Sequence, residues 1–272
     1  MVDYAVVDGF RLAFRQHGVG ETVLLVHGVT TASFIWNRVV PFLSPRYRTV
    51  AVDLLGCGSS DRPLGVDCSL KRQAELLGGF IENAELGPVH LVGHDVGGGI
   101  AQILAVRRPD LVRDLAVLNT VGYDYWPVQP IVTLRTPIVR QLAMATLDLG
   151  ILRIIVRRAL YHPDRLTDEL LGNIRSEVSA EGVRRSFLQF VRALNNSDLM
   201  AVADDLPKLG IPVLILRGDA DAYLSAEIAE RLHREIPSSR LLRISTAGHY
   251  IQEDEPEVVA GALLEHFRGA RP

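Results

Sequence analysis

Lysine is almost missing from this chain. It stands only at positions 71 and 208, and every other basic side chain is arginine. No basic tail or arginine stripe accompanies that usage, and the formal net charge is −3. The arginine bias reads as a codon-composition habit, and a nucleic-acid partner is not expected. Cysteine is scarce too. Cys57 and Cys68 stand in no metal-binding or redox spacing, so no metal and no cofactor is expected. Two free thiols in a cytoplasmic protein is the reading adopted, with a disulfide between them as the alternative. Long apolar runs are lacking: none approaches the ~20 residues of a membrane span. The stretch Gly150 to Val156 is apolar but short, and arginines follow it. Met1-Val2-Asp3-Tyr4 has neither the charged region nor the apolar core of a secretory leader. What remains is a cytoplasmic globular protein without a membrane partner, compatible with a homodimer. Its 272 residues, 48% hydrophobic and 22% charged, suit one large core with an inserted subdomain.

Short apolar runs alternate with helical stretches, which predicts an α/β protein with a mostly parallel central sheet flanked by helices. Strands are expected near Tyr4–Val7, Arg11–Gln16, Val23–Val26, Thr49–Val52, Val89–Val92, Leu115–Leu118, Val213–Leu216 and Leu241–Ile244. The first two form a hairpin turned at Asp8-Gly9. Near-continuous Val, Leu and Ile in the central runs fits strands buried on both faces. The alternation breaks after Val121. Helical patterns follow over Arg135–Leu149, Leu152–Leu160, Asp168–Ser176 and Glu181–Leu194. The expected organisation is a core of residues 1–121 and 208–272, with 122–207 inserted as a helical cap over a site.

Four motifs carry chemistry, and each follows an expected strand. Gly93-His94-Asp95-Val96-Gly97 reads as strand, sharp turn, helix. Glycines flank Asp95 because the segments on either side crowd together. Helix-end amides favour a carboxylate there, while burial disfavours it. His27-Gly28-Val29-Thr30 follows the third strand. Its turn aims the Val29 backbone N–H at the nucleophile, where with the Val96 N–H it forms an oxyanion hole. His27 is expected to be structural, and Trp36 to pack beneath the loop. Arg217-Gly218-Asp219-Ala220-Asp221 ends the seventh strand. Asp221 is the chosen orienting acid, with Asp219 bracing the loop. Ala247-Gly248-His249-Tyr250 follows the last strand and offers His249 as general base. Asp95, Asp221 and His249 stand in the order nucleophile, acid, histidine.

With those motifs in that order, nearly the whole chain resembles the α/β-hydrolase superfamily. Asp53-Leu54-Leu55-Gly56-Cys57-Gly58-Ser59 matches a further loop of that family, one with a structural role. The family's usual nucleophile is Ser. Asp95 narrows the resemblance to the epoxide hydrolase and haloalkane dehalogenase branch. The resemblance implies Asp95 as nucleophile, His249 as base, Asp221 as its partner, and a cap over the site. The group chemistry agrees. A carboxylate attacking an ester yields a reactive anhydride, whereas attack at an sp³ carbon yields a stable alkyl ester. His249 then activates a water against the Asp95 carbonyl.

The leaving group separates the two branches. Dehalogenases of this family commonly hold halide with Trp after the nucleophile and Asn after the His-Gly pair; here those positions are Val96 and Val29. The Arg that follows the nucleophile in fluoroacetate-type dehalogenases is missing too. Epoxide hydrolases protonate the departing alkoxide with two cap tyrosines. The candidates here are Tyr161, Tyr123 and Tyr125, with Trp126 as a donor and His162 nearby. Phe187 and Phe190 stand where the second Tyr is expected. The reading preferred is epoxide hydrolysis to a vicinal diol of a small apolar substrate. Haloalkane or haloacid dehalogenation is second, a biosynthetic ring opening or rearrangement third. A non-catalytic ligand-binding protein on the same fold is disfavoured by three intact ionisable groups.

Overall fold

A computed structural model describes residues 1–125, 150–179 and 182–269. All eight expected strands are present: β1 Asp3–Val7, β2 Phe10–His17, β3 Thr22–Val26, β4 Arg48–Val52, β5 Val89–Asp95, β6 Val112–Thr120, β7 Val213–Gly218 and β8 Ser239–Ile244. They form one sheet in the order β1-β2-β4-β3-β5-β6-β7-β8. The β1–β2 and β2–β4 pairs are antiparallel; the other pairs are parallel. Asp8 and Gly9 both turn through positive φ, 49° and 83°, as a two-residue hairpin requires. Every residue of β3 and β5 is buried, as expected of strands covered on both faces.

The strand order also places the site. From β3 the chain moves one way to β4; from β5 it moves the other way to β6. The loops after β3 and β5 therefore diverge, leaving a crevice at the C-terminal strand ends. His27-Gly28-Val29 and Asp95 stand at that divergence.

Ten α-helical segments are described: α1 Val40–Leu43, α2 Leu70–Asn83, α3 Val96–Arg107, α4 Leu152–Ala159, α5 Asp168–Val178, α6 Val183–Ala193, α7 Ser197–Ala203, α8 Ala226–Glu235, α9 Ile251–Asp254 and α10 Pro256–Gly269. Helix α2 begins where the Ser69 hydroxyl accepts the Arg72 N–H at 3.2 Å. It buries Leu70, Ala74, Leu77 and Ile81, one helical stripe. Helix α3 is buried on nearly every side, as befits a core helix behind the nucleophile.

The described elements between β6 and β7 are helical. The helix expected over Arg135–Leu149 lies outside the described residues. Helices α4, α5 and α6 match their expected stretches within a few residues. Helix α7 was not expected, because seven residues carry too short a pattern to stand out. It packs on α2 and α3, with Leu199 against Gly99, where a Cβ would lie 3.2 Å from the leucine methyl. Glu177 of α5 accepts the Gly58 N–H at 2.9 Å and pairs with Arg62 at 2.9 Å, tying α5 to the loop after β4. No described helix is long and apolar enough to cross a membrane. Cys57 and Cys68 are buried free thiols, so the disulfide alternative falls.

Candidate active site

Asp95 is the last residue of β5 and the first cap of α3, held at φ 54° and ψ −121°. A non-glycine residue pays for that conformation in strain, which surrounding packing must hold. The packing is tight. A Cβ on Gly93 would lie 2.4 Å from the Gly97 carbonyl, and one on Gly97 2.3 Å from the His27 carbonyl. The Val29 N–H donates to Asp95 Oδ2 at 2.9 Å, and the Val96 N–H also donates to the carboxylate. The expected pair of backbone donors therefore meets on the Asp95 carboxylate, with Val29 on Oδ2. A Cβ on Gly28 would lie 2.8 Å from that same oxygen, so only glycine lets the loop come this close. Asp95 is only 3% exposed. Burial raises its pKa above the ordinary carboxylate value, while His249 and the two N–H groups restrain the rise. Burial thus outweighs the helix-end amides.

His249 Nδ1 meets Asp221 Oδ2 at 3.1 Å. Asp221 Oδ1 accepts the Tyr223 and Leu224 N–H groups at 2.8 and 3.2 Å. Burial works against the Asp221 charge, yet His249, Arg217 and the Tyr223 N–H bring its pKa down to about 2. Burial likewise works against a charged His249. The Asp221 contact and the Asp95 charge outweigh it and raise the imidazole above its ordinary value. Asp219 turns outward to Arg243 at 2.8 Å and braces the loop, as expected.

Sequence reasoning missed two residues that hold this pair. Arg217 ends β7 with its guanidinium buried, donating to Asp221 Oδ2 at 3.1 Å and to the Leu224 carbonyl at 2.8 Å. It shares the oxygen that meets His249. Asn119, at φ 37° near the end of β6, donates to the carbonyls of Gly248 and His249 and accepts the Gly218 N–H. It fastens the β7 and β8 loops together. A lone Arg before a Gly and a lone Asn in an apolar strand carry no motif.

The groups facing His249 are the anions Asp221 and Asp95, the cation Arg217, neutral His94, and the phenols of Tyr223 and Tyr250. Arg217 is the one described cation among them, and it lowers the His249 pKa. Arg217→Met is therefore expected to move the acid limb of the ester-hydrolysis rate to higher pH. It should also cost about 3 kcal/mol of stability, read by denaturant titration, because a buried partner is lost. A limb that stays in place or moves to lower pH would refute this role.

His94 is buried, and its Nε2–H donates to the His249 carbonyl at 2.9 Å. Its Nδ1 has no partner. Burial, aided by His249, lowers its pKa to about 3. A depressed histidine contributes stability fully present above its unfolded pKa near 6.5, and that stability is lost as pH falls towards 3. The loss should be on the order of 4 kcal/mol. His94→Gln, which keeps a donor for the carbonyl, should flatten the stability curve across that window. An unchanged slope would contradict the assignment.

His27 is structural, as expected. Its Nε2 accepts the Leu54 N–H at 3.0 Å, so Nδ1 carries the proton donated to the Gly28 carbonyl at 2.8 Å. Trp36 is fully buried. Asp53 anchors its loop by accepting the N–H groups of Ser33 and Ser59 at 2.7 and 2.9 Å.

The cap tyrosines are a correction. Tyr123 is buried, its hydroxyl donates to Glu235 at 2.8 Å, and Arg231 lies over its ring. Tyr125 engages Glu227 and Arg231 instead of the nucleophile. Tyr161 is 44% exposed; only its backbone reaches the site loop, through Asp254, which also accepts the Gly248 N–H. His162 pairs with Glu255. The Tyr123 and Tyr125 hydroxyls are thus engaged by charged side chains of α8, and Tyr161 is largely exposed. Trp126 lies outside the described residues. Two other tyrosines lie against the triad: the rings of Tyr223 and Tyr250 each sit 5.4 Å from that of His249. Tyr250 directly follows the expected base, the one signal that marked it. Among the described residues, no group of His, Cys, Asp or Glu converges to hold a metal ion.

Residues 23–262 match the model of the alpha/beta hydrolase family. Haloalkane dehalogenase 2 of Mycobacterium tuberculosis (strain ATCC 25618 / H37Rv) is 29% identical over 268 residues, covering 94% of this chain and 91% of the relative. Haloalkane dehalogenase of Bradyrhizobium diazoefficiens is 28% identical over 297 residues, covering 97% and 93%. Among solved structures, the epoxide hydrolase CorEH without ligand superposes with a TM-score of 0.85 over 100% of this chain and 99% of that one. At 22% identity, that last likeness is one of fold.

Proposed function

We propose that this chain, which belongs to the alpha/beta hydrolase family, hydrolyses an electrophilic sp³ carbon through an alkyl ester on Asp95. The observation that carries this reading is the pair of N–H donors on the nucleophile's own carboxylate, with Val29 N 2.9 Å from Oδ2. In a serine hydrolase the donors await an oxygen of the substrate. Here the oxygen they hold belongs to the enzyme. Oδ1 is the attacking atom, forming a bond to carbon as the leaving group departs. A water deprotonated by His249 then adds to Cγ, and negative charge develops on Oδ2, where the Val29 N–H already stands. Each such donor can lower that barrier by roughly 3–4 kcal/mol. Asp221 and Arg217 hold the imidazole, and the described helices between β6 and β7, α4 to α7, act as a cap that keeps bulk water out.

Epoxide opening is the preferred reaction. The side chains beside the donors, Val29 and Val96, have no N–H to offer a departing halide. A second reading, hydrolytic dehalogenation of an apolar haloalkane, is favoured by the names of the relatives. The purified protein, incubated with a panel of terminal and internal epoxides and a panel of haloalkanes, should release diol from the first and no halide from the second. Halide release without diol would reverse the order. Neither product from either panel would remove both readings.

A further inference from the structure

We infer that the Tyr250 hydroxyl, seated on the Thr30 hydroxyl beside Asp95, is the general acid that protonates the departing epoxide oxygen. The inference rests on the epoxide reading above and names the group that reading lacks.

The chain has seven tyrosines, and their surroundings decide between them. Tyr4 is exposed on the edge strand β1. Tyr47 packs on His90 and Phe267, and His90 pairs with the start of β6, at the strand ends remote from Asp95. Tyr123, Tyr125 and Tyr161 are occupied or outward-facing, as described. Tyr223 reaches His249 with its ring, but its hydroxyl donates to the Ile155 carbonyl at 2.8 Å. A phenol proton spent on a backbone carbonyl is not free for substrate. Tyr250 differs in its partner. Its hydroxyl lies 3.3 Å from Thr30 Oγ1, and either oxygen can donate. Two hydroxyls sharing one hydrogen bond use one of their two protons. With Thr30 as donor, the Tyr250 proton is free to point at substrate.

Position supports the same role. Thr30 directly follows Val29, whose N–H holds Asp95 Oδ2. Thr30 sits at φ 66°, a costly conformation for a β-branched residue. Strain of that kind is kept where surrounding structure needs the side chain in place. Val29 and Thr30 are part-exposed, whereas the strand behind them is buried. The Tyr250 ring is buried beside the His94 and His249 rings, at 6.1 and 5.4 Å, and its N–H is fixed to the Ala159 carbonyl at 3.1 Å. The phenol is thereby held beside the triad and feels the Asp95 charge.

The step balances. Asp95 Oδ1 forms a bond to one epoxide carbon as that carbon's bond to the ring oxygen breaks. The ring oxygen takes the Tyr250 proton and becomes a hydroxyl. Water then adds to Asp95 Cγ, giving its proton to His249. The imidazolium protonates the ester oxygen as the Cγ–O bond breaks. The carboxylic acid left on Asp95 returns its proton, through water, to the Tyr250 phenolate. One water is consumed and one diol released.

The test is adduct formation in single turnover, in a His249→Gln background that stops ester hydrolysis. Two alkylating probes separate acid catalysis from packing: a terminal epoxide, whose leaving oxygen needs a proton, and an alkyl sulfonate ester, whose leaving group does not. Tyr250→Phe should slow epoxide adduct formation by about 100-fold or more and leave the sulfonate rate within a few-fold. Thr30→Val should show the same selectivity at about 10-fold. Equal loss with both probes would make Tyr250 a packing residue and overturn the inference. So would an unchanged epoxide rate. Absence of any epoxide adduct when Tyr250 is intact would instead overturn the epoxide reading itself.

Discussion

Asp95→Asn is expected to abolish turnover, lowering kcat by on the order of 10⁴-fold or more, as loss of a covalent nucleophile does. The substitution is nearly isosteric. The amide oxygen still accepts the Val29 and Val96 N–H groups, so the turn at φ 54° and its glycine-lined packing are retained. What is removed is the anionic electron pair on Oδ1. Thermal unfolding should therefore stay close to that of the parent while diol release disappears. Removing a charge that burial disfavours should, if anything, help the fold. Turnover within about tenfold of the parent would mean that Asp95 is only a helix cap, and the covalent mechanism would fall.

The second large effect is accumulation. Alkylation of Asp95 does not use His249; hydrolysis of the ester does. His249→Gln should leave the first step running and slow the second by about 10²- to 10⁴-fold, the usual weight of a general base. Intact-protein mass should then show one substrate equivalent added per chain, with the peptide holding Asp95 carrying it. The backbone donors on the Asp95 carboxylate remain in place, so slow hydrolysis continues and the adduct decays over hours. A pH dependence follows from the same group in the parent. His249 sits above its ordinary pKa through Asp221 and Asp95. In the ester Asp95 carries no charge, so the ester-hydrolysis rate should rise with pH as the imidazole becomes neutral, through a midpoint below the free enzyme's His249 pKa. An adduct-free variant that binds substrate and still turns over would remove His249 from the mechanism.

The elements most legible beforehand were those governed by period and by steric necessity. The central strands stood out because parallel strands buried on both faces must be continuous runs of apolar residues. The elbow stood out because Gly93 and Gly97 have carbonyls at 2.4 and 2.3 Å from where a Cβ would be. Val29 and Val96 were legible as donors because a main-chain N–H does not depend on the side chain. Helix α7 was not, since its short pattern acquires meaning only against α2 and α3. The cap tyrosines were misread because a loop side chain has no period to set its direction. Tyr123 turned to Glu235, and Tyr161 to solvent.

The sequence by itself determined the order of the working parts: a carboxylate at a crowded strand end, then an acid, then a histidine, each delivered by a strand of a mostly parallel sheet. It could do so because these features are local, written in consecutive residues and in chain order. Only the tertiary structure decided the electrostatics and the neighbours. It set Arg217 on the Asp221 oxygen that meets His249, Asn119 across two loops, and Tyr250 beside Thr30, 220 positions apart. The Asn119 and Tyr250 contacts join elements distant along the chain, and a buried group's charge and partners, like those of Arg217, depend on what folds around it.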